Sequence, residues 1–269
     1  MKIYKAFLLT LLLLIFNYIP QFGFIELYIY TDLIGKNYSE HFYLGVVLTS
    51  VISYLIVFYY YWKPRPNLKA VFNYKQLDFS LLPYLLLIVF GLGLAEQPLF
   101  DFDKIVAYYR TAEIKLHSNE FVGFTTSMIY YRIYSLLVAP LFEELFFRKF
   151  LFHQLLKNNK VWAAILISSV CFSAIHFETP KNLIPTFIYG IIACLIYLKT
   201  KNIVYLIALH FLYNLCTLLC FIYGEPFFDW VYSQHYGFMY WALFIFGILI
   251  TILGVKKMTS ATKPQPNSP

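Results

Sequence analysis

The sequence predicts an all-α protein, a polytopic bundle of about eight membrane-spanning helices. Three observations carry this reading. Of 269 residues, 60% are hydrophobic and only 13% charged, with a mean hydropathy of +0.64, far from the balance of a soluble domain. The apolar residues gather in runs close to the ~20 residues that cross a hydrocarbon core of about 30 Å. Finally, if both termini are cytoplasmic, fifteen Lys and Arg residues fall on that side and five on the other, a clear positive-inside bias.

The runs lie at about 6–30, 42–62, 80–96, 139–158, 161–177, 183–199, 203–223 and 237–255. Lys2 and Lys5 precede the first run in the manner of a signal peptide. It continues to about Tyr30 without a small-residue cleavage site, so a retained span is expected. Between the third and fourth runs, Glu96 to Val138 begins polar and turns aromatic from Phe121, with Arg132 inside. That second part reads as an interfacial helix or a further span. Residues 1–255 form one membrane domain without internal repeats. Residues 256–269, with Pro264 and Pro266, read as a disordered polar tail.

Composition also excludes functions. The net charge of +7 is spread over short loops, with no basic patch interleaved with stacking aromatics, so it sets topology and does not bind nucleic acid. Cys171, Cys194, Cys216 and Cys220 all sit inside apolar runs without CxxC or metal-ligand spacing. They read as small hydrophobic residues, and no disulfide is expected.

Against this background Pro140-Leu-Phe-Glu143-Glu144-Leu-Phe-Phe-Arg148-Lys149 stands out. A charge at mid-bilayer costs roughly 2.5–3.5 kcal/mol on insertion scales, so two adjacent carboxylates and a guanidinium need pairing, water or a task. Glu144 and Arg148 are four apart and share a helix face, while Glu143 points about 100° away. Pro140 reads as a break or first-turn residue that starts the motif helix. Two other spans carry polar groups: His176, one turn after Phe172, and His210 with Asn214 at i and i+4. Each alone has a bland explanation, as a packed histidine, interhelical glue or a structural ion pair. A cluster of this size within lipid defaults to a functional site.

The residue types suit amide hydrolysis. Glu143 or Glu144 can supply a general base, His176 can relay a proton, and His210 with Asn214 can donate to a developing oxyanion. Ser168, Ser169 and Ser173 read as helix-packing residues rather than nucleophiles, which favours an activated water. Glu143, His176 and His210 could instead hold Zn²⁺ with an open position, although no HExxH occurs. A non-catalytic immunity or assembly protein is the third reading.

The three motifs, Glu143-Glu144-x-x-x-Arg148, Phe172-x-x-x-His176 and His210-x-x-x-Asn214, with Tyr197-Leu-Lys-Thr200-Lys-Asn-Ile-Val before the last, resemble the signature of the type II CAAX prenyl protease and bacteriocin-processing family, also called ABI or CPBP. The resemblance covers roughly 120–223. It implies an intramembrane endopeptidase of the glutamate type, in a multi-pass, prokaryotic cell-membrane protein, acting on a membrane-associated peptide or protein and requiring no cofactor. By position it makes Glu143 the base that activates water with His176, Glu144 the orienting group with Arg148, His210 and Asn214 the oxyanion donors, and Phe172 a pocket residue. Eukaryotic members face the cytosol. The charge layout here instead puts Glu143 near the outer end of its span and His176 at the outer end of the next.

Overall fold

The structure is a computed structural model that describes residues 1–31, 38–67, 71–72, 77–112 and 123–261, with backbone alone at 24–31, 38–41 and 261. Among the described residues all regular structure is helical. The elements are α1 (Ile3–Thr31), α2 (Tyr38–Tyr61), α3 (Leu82–Phe100), α4 (Phe102–Thr111), α5 (126–156), α6 (Val161–Ala174), α7 (Leu183–Thr200), α8 (Ile203–Tyr223), α9 (Glu225–Ser233) and α10 (Phe238–Ala261). Every one of the eight apolar runs is a helix. Six of these helices are long and apolar enough to cross a membrane, α6 is shorter, and α5 carries the charged motif. The protein is an integral membrane protein.

Two boundaries differ from the sequence reading. Residues 126–138 are neither a separate interfacial helix nor a further span. They continue without interruption into the motif helix, through π-helical turns at Tyr134–Val138 and Leu145–Phe152. Glu143 therefore lies in the middle of α5 rather than near its outer end. The tail also begins later than 256, because α10 runs on through Lys256 and Lys257 to Ala261. Residues 262–269 of the expected disordered tail lie outside the described residues.

Packing follows membrane logic, in which small residues let helix backbones approach because lipid offers no hydrophobic drive between helices. α3 and α10 meet at Gly91 and Gly247. A Cβ on Gly247 would stand 2.7 Å from the backbone nitrogen of Ala95, and one on Gly91 would collide with Thr251. α1 and α2 are joined by polar bonds: the Ser50 hydroxyl donates to Asn17 Oδ1 at 2.9 Å and that of Ser53 to the Phe16 carbonyl at 2.7 Å.

The bundle has two distinct ends. At one, the Asn159 amide donates to the Met1 carbonyl at 2.9 Å and the Asp78 N–H to the Tyr205 hydroxyl at 2.6 Å. This brings the starts of α1, α3 and α8 beside the end of α5. At the other, Lys181 pairs with Asp103 at 2.8 Å, and the Asp101 carboxylate accepts from the Tyr232 and Tyr240 hydroxyls at 2.9 and 3.0 Å, tying α3 and α4 to α9 and α10.

Candidate active site

α5 positions three of the motif residues. Its first π turn ends with the Ala139 N–H on the Tyr134 carbonyl. The next donor in that register would be residue 140, directed at the Ser135 carbonyl, but Pro140 has no N–H. The freed carbonyl accepts from Asn214 Nδ2 of α8 at 2.5 Å. Pro140 thereby fixes where α8 docks, and wide turns of this kind recur at functional sites.

One turn further on, Glu144 sits at the centre of a closed polar cluster. Its Oε2 lies 3.3 Å from Arg148 Nε, both side chains being fully buried. Its Oε1 meets His210 Nδ1 at 3.0 Å and accepts from the Tyr189 hydroxyl at 3.3 Å. The Arg148 guanidinium is off the hydrogen-bonding axis of the carboxylate. Among the described residues its nitrogens have no hydrogen-bond partner, and its charge rests on Glu144 and on the Phe172 ring, 4.1 Å beneath it. Phe172 thus supports the cation from below, a cation–π contact that gains in a dry setting.

Glu143 faces elsewhere. It is only 3% exposed, its Oε2 has no hydrogen-bond partner among the described residues, and it borders a cavity of about 400 Å³. His176, His210 and Asn214 border the same cavity. His176 lies in the turn after α6 with its Nδ1 3.0 Å from the Phe172 carbonyl. A carbonyl only accepts, so in the neutral ring Nδ1 carries the hydrogen and Nε2 keeps the lone pair. The same reasoning at the Glu144 carboxylate gives His210 its hydrogen on Nδ1.

The seven residues singled out in the sequence therefore divide into two groups. Glu143, His176, His210 and Asn214 line the cavity. Glu144, Arg148 and Phe172 lie behind it, with Phe172 instead on a side pocket of about 40 Å³ shared with His176 and His210. Ser168, Ser169 and Ser173 give their hydroxyls to the carbonyls of Phe147, Ile165 and Leu183 at 3.0, 2.8 and 2.6 Å. The α7–α8 link explains its own sequence: Lys201 turns the chain in the left-handed region at φ 51°, and Asn202 Oδ1 caps α8 by accepting from the Val204 N–H at 3.0 Å.

Several residues escaped the sequence reading. Tyr189, which bonds Glu144, carried no signal among 25 tyrosines. Asn17 and Gln21 of α1, both on the cavity wall, were readable as polar side chains four apart in an apolar span. Glu178, also on the wall, follows His176 by two. For zinc, the set Glu143, His176 and His210 does not form a ligand cluster: among the described residues no three His, Cys, Asp or Glu side chains gather closely enough to hold a metal ion.

The chain is thus a helical membrane bundle that brings a carboxylate, two histidines and an asparagine to one cavity. Within it, residues 125–216 match the family model described as type II CAAX prenyl endopeptidase Rce1-like, a segment that holds all three motifs and supports the resemblance read from them. No curated protein matches the chain, and neither does any solved structure.

Proposed function

We propose that the protein is an intramembrane endopeptidase in which Glu143 activates a water molecule to hydrolyse a peptide bond of a membrane-associated peptide or protein. The observation that carries this reading is the convergence of Glu143, His176, His210 and Asn214 on one cavity. The Rce1-like match over 125–216 supports it at the level of a protease family.

In this mechanism the Glu143 carboxylate takes a proton from water as its oxygen attacks the scissile carbonyl carbon. The C–N bond then breaks, and the proton passes to the leaving amine, with His176 Nε2 able to accept and relay it. The oxyanion needs donors. Asn214 keeps one amide hydrogen beyond that given to Ser135. His210 Nδ1 is turned to Glu144, so His210 donates from Nε2 only as the imidazolium.

Glu144, Arg148, Tyr189 and Phe172 act through His210 as positioning residues. Comparing peptides released from membranes that carry the wild type or Glu143→Gln tests the proposal. Products lost in the variant support it, whereas identical profiles count against it.

A further inference from the structure

We infer that the catalytic cavity opens at the non-cytoplasmic face, so that its substrate is a peptide segment presented from outside or from the outer half of the membrane. Two independent observations meet here. The first is the position of the cavity in the bundle. Its walls include Asn17 and Gln21, well along α1 from Met1, together with Tyr43 near the start of α2, Tyr131 near the start of α5, and Glu178 and Thr179 after the end of α6. All of these lie toward the end of the bundle that holds the Lys181–Asp103 pair and away from Met1 and Asn159.

The second observation is charge. The end that holds Met1 carries Lys2, Lys63, Lys157, Lys160, Lys201 and Lys257, and among the described residues Asp78 is its one carboxylate. The opposite end carries Asp101, Asp103, Glu178, Glu225 and Asp229 against Lys104, Arg110, Arg132 and Lys181. Lys and Arg are retained on the cytoplasmic side during insertion, which orients Met1 inward and the cavity outward. The placement of Glu143 in the middle of α5 fits this, because the cavity reaches it from the outer half. The rings of Tyr43 and Tyr131, 5.1 Å apart, stand on the cavity wall at this end, where an entering segment would meet them.

The orientation is independent of the proposed proteolysis, and the nature of the substrate rests on it. The test therefore has two arms. In the full chain with Cys216→Ser and Cys220→Ser, the other two cysteines being buried, single cysteines are placed at exposed positions and treated with a membrane-impermeant maleimide. Glu178→Cys and Asp229→Cys should label in intact cells, and Lys160→Cys and Lys257→Cys only after permeabilisation. Any other pattern overturns the orientation, most directly its reverse. In the second arm, peptides lost in Glu143→Gln should derive from exported or outward-facing segments; products from cytoplasmic segments overturn the assignment of substrate. If no product is lost, the proteolytic reading fails while the labelling still decides the orientation.

Discussion

Asn214 Nδ2 donates to the Ser135 carbonyl at 2.5 Å, and it does so because Pro140 cannot. Pro140, which lies outside the three motifs, thereby leaves the acceptor through which a motif residue locks one helix to another. A buried carbonyl left without a donor costs about 1–3 kcal/mol, an upper bound for this partly buried one. Asn214→Ala should therefore lower stability in detergent by up to roughly that amount. Pro140→Ala restores an N–H in register, so the double variant should be less destabilised than the sum of the singles. Strict additivity in the double-mutant cycle would show that the two residues do not share Ser135.

Tyr189 is the residue that the motifs did not announce. Its hydroxyl meets the same Glu144 oxygen as His210 Nδ1, and hydrogen bonds to charged groups contribute about 1.5–3 kcal/mol. Tyr189→Phe keeps the ring that packs 5.2 Å from His210 and should lower stability in detergent by roughly that amount, and turnover with it. Unchanged product yield would mean that the hydroxyl does not orient the pair.

Arg148 is buried against a ring and a carboxylate, and a lysine cannot reproduce its planar stacking. Arg148→Lys should lose activity while the chain still inserts. Arg148→Met leaves Glu144 with His210 and the Tyr189 hydroxyl but without the guanidinium, and breaking a buried pair in this way typically costs about 3–5 kcal/mol. Wild-type thermal stability in Arg148→Met would show that Glu144 does not need the cation.

The α3–α10 contact should respond to size and not to charge. Gly247→Val places side-chain atoms where Ala95 and Leu94 already stand, and overpacking of this kind costs about 1–3 kcal/mol. Melting in detergent should fall accordingly, whereas Gly93→Val, with open space around its Cβ, should melt as the wild type does.

Because no three ligand-type side chains gather at the site among the described residues, hydrolysis should survive treatment of the purified protein with a chelator. Loss of product on chelation, restored by zinc, would favour the metal reading.

The bundle was largely legible because hydrocarbon thickness translates directly into run length, and each of the eight runs is a helix. The Thr126–Val138 segment was misread for a physical reason: Arg132 and its tyrosines suggest an interface. Yet Arg132 rests on the rings of Tyr131 and Phe221, 5.1 and 5.3 Å away, which lets the helix continue. At the site, spacing within a helix paired Glu144 with Arg148 correctly. It could not reveal that His210 also belongs to Glu144, since that contact joins elements 66 residues apart. Nor could spacing show that α1, without a motif, forms part of the wall through Asn17 and Gln21.

Glu143, the carboxylate with an unpartnered oxygen at the cavity among the described residues, is the proposed base. The most direct measurement compares peptides released from membranes bearing wild type, Glu143→Gln and a stability-matched control such as Gly93→Val. A specific product should disappear in Glu143→Gln alone while the variant remains folded and inserted. Retention of that product at wild-type levels would contradict that role for Glu143.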